Sequence, residues 1–232
     1  MRLIIFTIGL SVTKGVFRSL FAILAGAILV HTSVFAEPTN LGLLKQELVR
    51  YYDSGQYLKE FQDVTNQASE YMQQEIALNQ RLTHPKRLAI VLDIDETSLS
   101  NYSNMVQDDF ANNPTKIAEE LMAAKEPAIP PMLDLYQQAV QNNVAVFFVT
   151  GRDVSFQEAT IENLKAAGYT QWAGLSFRNG KIPTIAYKSA ERAKIIQNGY
   201  AIIASLGDQD SDLIGGYAQK TFKLPNPFYY LP

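Results

Sequence analysis

Asp93 with Asp95, then Thr150, Lys188, and Asp208 with Asp212 each follow closely on a short, dense apolar run: Leu88 to Leu92, Val144 to Val149, Thr184 to Tyr187 and Ala201 to Leu206. One acid after one such run says little, because Asp commonly closes strands in turns. Six groups of these types in this order say much more. A carboxylate can attack phosphorus and hold it as an acyl phosphate, splitting one difficult displacement into two easier ones. A second carboxylate two residues on, directed elsewhere in the turn, can protonate a leaving oxygen and then deprotonate the attacking water. Asp93 and Asp95 suit these two roles. A hydroxyl and an ammonium, Thr150 and Lys188, can hold phosphate oxygens. Four carboxylates in one crevice would repel a phosphate dianion, so the set requires a hard cation, and magnesium suits sparse oxygen ligation. Asp93 and Asp208 are the expected direct ligands, with Asp212 weaker or water-mediated.

What is absent narrows the chemistry further. The chain has no cysteine and two histidines, of which His31 lies in the N-terminal stretch and His84 stands alone in the remainder. Cysteine nucleophiles, paired-histidine phosphoryl transfer and multi-histidine zinc sites are thereby disfavoured. Catalysis here is expected to run on carboxylates.

The four apolar runs suit strands buried on both faces of a parallel sheet. Helical stretches alternate with them: Met132 to Gln141, a second opening at Ser155 with Glu158 as a Ser-x-x-Glu capping box, and a third over Ser189 to Asn198 with Gly199 behind it. This alternation predicts an α/β fold, a doubly wound parallel sheet. In such a sheet the carboxyl ends of the strands line the ligand crevice, which is where all six groups should converge. Ahead of the sheet, residues 37–84 carry Leu41, Leu44, Leu48 and Tyr51 at helical spacing. After an Asp53-Ser54-Gly55 stop, Leu58, Phe61, Val64, Ala68, Met72 and Ile76 continue it, giving two amphipathic helices. Residues 101–131 interrupt the alternation with polar residues and a helical patch at Ile117 to Ala124, and read as a small helical cap insertion.

Residues 1–36 differ from the rest. Arg2, Lys14 and Arg18 stand without an acid, followed by an apolar run from Leu20 to Val30 and a Val34-Phe35-Ala36 end. This is the pattern of a secretory signal peptide, and the run is short of the roughly 20 apolar residues a bilayer span needs. Removal of the signal would leave residues 37–232 as one domain, periplasmic or secreted, with no stable membrane anchor. It would hold 17 Lys and Arg against 23 Asp and Glu. An acidic balance of this kind argues against a nucleic acid polymer and leaves a small phosphomonoester as the expected partner.

Four ordered motifs, Val91-Leu-Asp-Ile-Asp-Glu-Thr97, Phe148-Val-Thr-Gly-Arg152, Tyr187-Lys-Ser-Ala-Glu-Arg192 and Gly207-Asp-Gln-Asp-Ser-Asp-Leu213, resemble those of the haloacid dehalogenase (HAD) superfamily. They are most similar to its subfamily IIIB secreted acid phosphatases, the group of bacterial lipoprotein-type phosphatases and plant vegetative storage proteins. The tail Lys223-Leu-Pro-Asn-Pro-Phe-Tyr-Tyr230 is similar to theirs as well. The resemblance implies a HAD-like Rossmannoid fold and the same roles for Asp93, Asp95, Thr150, Lys188, Asp208 and Asp212, with the backbone carbonyl of Asp95 also on the metal. Two features depart from the group: no cysteine follows the signal to carry a lipid, and Asp210 stands where an aromatic residue, usually Trp, is common. Arg152 is open between a structural ion pair and a substrate contact, and Asn101, Tyr102 and Ser103 are candidate substrate contacts. A catalytically weak storage or binding protein on the same fold is the alternative. A phosphorylatable receiver domain is disfavoured, because its single acceptor Asp would stand on a middle strand and the run ending at Thr150 offers none.

Overall fold

In the computed structural model, which describes residues 37–231, an all-parallel sheet runs in the order β3-β2-β1-β4-β5. The strands are β1 (Arg87–Leu92), β2 (Ala145–Asp153), β3 (Gly174–Arg178), β4 (Tyr200–Gly207) and β5 (Lys220–Lys223). The helices are α1 (Leu41–Asp53), α2 (Gln56–Asn79), α3 (Tyr102–Gln107), α4 (Pro114–Ala123), α5 (Pro130–Gln141), α6 (Gln157–Ala166), α7 (Thr184–Gln197) and the single-turn α8 (Asp210–Leu213). β1 is central, and its side chains alternate between two apolar layers as the strand period requires. Ile90, Leu92, Val146, Phe148 and Leu206 join Phe61, Ala68 and Met72 of α2 and Met132, Leu135 and Ala139 of α5 on one side. Ala89, Val91, Phe147, Val149 and Ile202 meet Tyr187 and Ile195 of α7 on the other. The doubly wound α/β reading is therefore correct. A β-bulge keeps β4 in phase, because the register steps from Ala89↔Ile202 to Ile90↔Ala204 and leaves Ile203 unpaired.

The two expected N-terminal helices are present, and the break between them falls at Gly55, whose φ of 81° is a left-handed conformation that costs glycine little. Residues 101–131 carry α3 and α4, and the segment is tied back by Ser100 N–H donating to the Pro127 carbonyl at 2.9 Å and Ile129 N–H to the Ser98 carbonyl at 3.1 Å. The signal-peptide reading of residues 1–36 lies outside the described residues. Among those described, no helix is long and apolar enough to cross a membrane.

Three local expectations are corrected. Thr184 to Tyr187 is not a strand but the first turn of α7. Ile185 and Ala186 are exposed, whereas Tyr187, Lys188, Arg192 and Ile195 are buried at helical spacing, so the apolar run never faces two layers. The strand beside β2 is instead Gly174–Arg178, half-buried along its length and without a dense apolar signature. Ser155 makes no capping box: a 3-10 turn over Val154–Phe156 is capped by Asp153, whose Oδ1 accepts from Ser155 N–H at 2.9 Å, and α6 begins only at Gln157.

Candidate active site

β1 delivers Asp93 to the carboxyl edge of the sheet. Its N–H donates to the Leu206 carbonyl at 3.1 Å, one step beyond the β1–β4 ladder, and its carbonyl accepts from Ser98 Oγ at 2.7 Å. The following turn passes through Glu96 at φ 49°, a left-handed conformation that a side-chain-bearing residue adopts only where its surroundings enforce it. It closes with Ser98 and Leu99 N–H both donating to the Ile94 carbonyl at 2.8 Å.

Around Asp93 the structure gathers Asp208 and Asp212, and carboxylate oxygens of all three lie within 4.8 Å of one another. Asp208 follows β4, while Asp212 is folded back by α8, where its Oδ2 accepts from Gln209 N–H at 2.9 Å. Gly207 is required at the strand end, since a Cβ there would collide with the Asp212 side chain. Lys188 reaches in from the N-terminal end of α7, just past its first turn: its Nζ donates to Asp93 Oδ1 at 2.6 Å and also to Asp212 Oδ1. All four side chains are buried. Burial, then the neighbouring Asp212, pushes the Asp93 carboxyl well above its ordinary range despite Lys188, and the same two causes raise Asp208. Burial works against the Lys188 ammonium, but Asp93 and Asp212 outweigh it and hold the charge on. Three buried carboxylates thus face one ammonium. This oxygen-only donor set, short of two positive charges, fits a divalent cation.

Asp95 points away from that cluster, 29% exposed, and is gripped by Arg152. Arg152 Nε donates to both carboxylate oxygens at 3.2 and 3.1 Å, and Nη2 to Oδ1 at 2.7 Å, a forked contact of the strong, charge-assisted kind. Asn101 Nδ2 adds a bond to Oδ1 at 2.9 Å. Burial opposes ionisation of Asp95, but these partners prevail and hold its carboxyl below the usual range. Arg152 thus forms the ion pair that was one of its two expected roles, and it is itself fixed by Nη1 donating to Thr160 Oγ1 at 3.1 Å. Thr150 is buried within β2, two residues past the partner of Leu92. Its Oγ1 accepts from Arg152 N–H at 3.1 Å, and it makes no hydrogen bond to the acids.

Several supporting residues gave no individual signal in the sequence. Arg192, fully buried on α7, pairs with no carboxylate among the described residues; its guanidinium donates to the carbonyls of Asp212 at 3.0 Å and Gly216 at 2.9 Å, and to that of Ile214, so it shapes the loop carrying Asp212. Glu96 accepts from Asn101 N–H at 2.6 Å and Tyr229 Oη at 3.1 Å, and burial beside Asp95 and Asp208 pushes its carboxyl up to about 8. Asp208 is held by Thr97 Oγ1 at 3.1 Å, Gln209 Nε2 at 2.6 Å and Asn226 Nδ2 at 2.7 Å. Asp210, the departure noted above, is exposed on α8 and takes no part in these contacts. The Pro-Asn-Pro tail and the Glu that follows Asp95 were the available clues to this shell.

Comparison with known proteins agrees with this geometry. The family described as HAD superfamily, subfamily IIIB (acid phosphatase), matches residues 32–232. The Stem 28 kDa glycoprotein of Glycine max is 33% identical over 194 residues, covering 80% of this chain and 74% of its own. Acid phosphatase 1 of Solanum lycopersicum is 34% identical over 183 residues, covering 75% and 69%. The class C acid phosphatase of Bacillus anthracis superposes with a TM-score of 0.65 at 22% identity, over 81% of this chain and 86% of that one, and so shares the fold. The chain belongs to the HAD superfamily, subfamily IIIB, the acid phosphatases, and is by that membership a phosphomonoesterase.

Proposed function

We propose that this protein is an exported, magnesium-dependent acid phosphatase that hydrolyses small phosphomonoesters through an aspartyl-phosphate on Asp93. The observation that carries the reading is the buried set of Asp93, Asp208 and Asp212 around a single ammonium, beside a separately held Asp95. Asp93 Oδ attacks phosphorus as the ester oxygen departs, and Asp95 gives that oxygen its proton, releasing the alcohol. Asp95 then takes a proton from water as the water oxygen attacks phosphorus, freeing Asp93 and leaving inorganic phosphate. Lys188 and Thr150 hold the phosphoryl oxygens. Asp93, Asp208, Asp212 and the Asp95 carbonyl would hold magnesium, which would supply positive charge to offset that on those oxygens. Residues 1–36 act as the export signal and residues 37–232 as the working domain, in the periplasm or outside the cell.

The test is phosphate release from a chromogenic aryl phosphate, with magnesium or with EDTA, by wild type and Asp93→Asn. Turnover that needs the metal and falls at least about 10³-fold in the variant is expected for loss of a nucleophile. Turnover surviving Asp93→Asn would overturn the mechanism. A second reading has one specific support, the 38% identity over 108 residues to Vegetative storage protein 1 of Arabidopsis thaliana, which covers 46% of this chain. Folded protein that binds magnesium yet turns over no phosphomonoester would favour it.

A further inference from the structure

Beyond β5 the described residues carry no regular secondary structure, yet residues 225–231 make three hydrogen bonds with the loops that bear the acids. Asn226 Nδ2 donates to Asp208 Oδ2 at 2.7 Å, and Tyr229 Oη to Glu96 Oε2 at 3.1 Å. Leu231 N–H donates to Gln209 Oε1 at 3.1 Å, and the Nε2 of that same amide reaches Asp208 Oδ2 at 2.6 Å. Phe228 packs against Tyr57 and Tyr102 with ring centroids 5.4 and 5.3 Å apart, so the segment is anchored between α2 and α3.

The local chemistry explains why the segment holds one shape. Pro225 and Pro227 bracket Asn226 and restrict the backbone on both sides. The Asn226 side chain folds into an Asx turn, its Oδ1 accepting from Phe228 N–H at 2.9 Å and Tyr229 N–H at 3.4 Å. With Oδ1 thus engaged, Nδ2 has one direction left, toward Asp208. Leu224 N–H, donating to the Gly207 carbonyl at 2.9 Å, fixes where the segment begins relative to β4.

We propose that residues 225–231 are a strap that orients Asp208 for the metal, with Asn226 as the positioning residue. The proposal rests on the magnesium reading above. An amide pinned by its own turn presents a fixed donor to one carboxylate oxygen, which selects the rotamer of Asp208 and steers its remaining lone pairs. Partners of this outer kind change metal affinity by about 10- to 100-fold when removed, even though they never touch the ion.

The experiment titrates magnesium into metal-stripped wild type, Asn226→Ala and Asn226→Ser, by calorimetry and by the magnesium dependence of turnover, with a thermal melt of each metal-free protein. Asn226→Ser keeps an acceptor for the Phe228 and Tyr229 N–H groups but cannot reach Asp208, so it carries the measurement if Asn226→Ala does not fold. The expected result is a magnesium dissociation constant raised about 10-fold or more in both, with turnover at saturating magnesium within about threefold of wild type. Folded variants that bind magnesium as wild type does would overturn the proposal, as would a lowered melting temperature with unchanged affinity. Failure of wild type itself to bind magnesium would instead strike the metal reading, and is visible before any variant is compared.

Discussion

Asp95 can donate a proton only as a carboxylic acid, yet Arg152 and Asn101 favour its carboxylate and hold its titration low. The protonated fraction therefore grows as pH falls, which gives an acid optimum a structural cause: the rate of leaving-group departure should decline once pH passes the depressed range of Asp95. Replacing Arg152 with Gln removes the first of the cations that depress it. The pKa of Asp95 then moves up, so the alkaline limb of the kcat profile should shift to higher pH, while kcat at its optimum falls by roughly 10²-fold because the fork that aims the carboxyl is lost. A kcat profile at saturating magnesium for wild type and Arg152→Gln checks both signs. A limb that stays in place would mean that another group supplies the proton.

The helices and strands divide the work between support and chemistry. α2 and α5 cover one face of the sheet and give no hydrogen bond to the acids, whereas α7 and α8 on the opposite side of β4 carry Lys188, Arg192 and Asp212. Phe61→Ala, at a fully buried position of α2, should therefore cost about 3–5 kcal/mol in urea unfolding while the folded fraction keeps wild-type kcat. A kcat that falls with stability would show that α2 reaches the site. The same division explains what could be read from the sequence. β1, β2 and β4 are dense apolar runs because both faces are covered; β1 and β4 end just before their polar residues, whereas β2 runs on through Thr150 to Asp153. β3 and β5 escape because they are edge strands, half-buried or mostly exposed, with little apolar density to distinguish them from loops. Lys188 was rightly grouped with the acids but for the wrong local reason, since Thr184 to Tyr187 borrows the look of a strand from a helix turn that buries only Tyr187. Asn226 and Tyr229 could not be assigned individually, because their partners lie 18 and 133 residues away and only the folded chain brings them together.

Taken together, the fold stores acids that its ordinary interactions do not neutralise. Asp93, Asp208 and Glu96 all have carboxyls raised by burial, so between the ordinary carboxylate range and their raised values the native protein binds more protons than the unfolded chain. Stability must then fall as pH rises across that window. For Glu96 alone, whose carboxyl moves from 4.5 to about 8, the loss at pH 8 is on the order of 4 kcal/mol. Asp95 acts in the opposite sense, but below the ordinary carboxylate range and so outside this window. A cation bound only by the native state restores stability by mass action, about 2.7 kcal/mol at a hundredfold excess over its dissociation constant. The metal must displace fewer protons at pH 8 than at pH 5, so its contribution should be greater where the metal-free protein is weakest. Thermal melts in EDTA and in saturating magnesium should accordingly show the metal-free midpoint lower at pH 8 than at pH 5, with a larger magnesium-induced rise at pH 8. A metal-free midpoint that climbs from pH 5 to pH 8 would mean that these acids are neutralised within the protein itself, and the case for a resident divalent cation would lose its electrostatic basis.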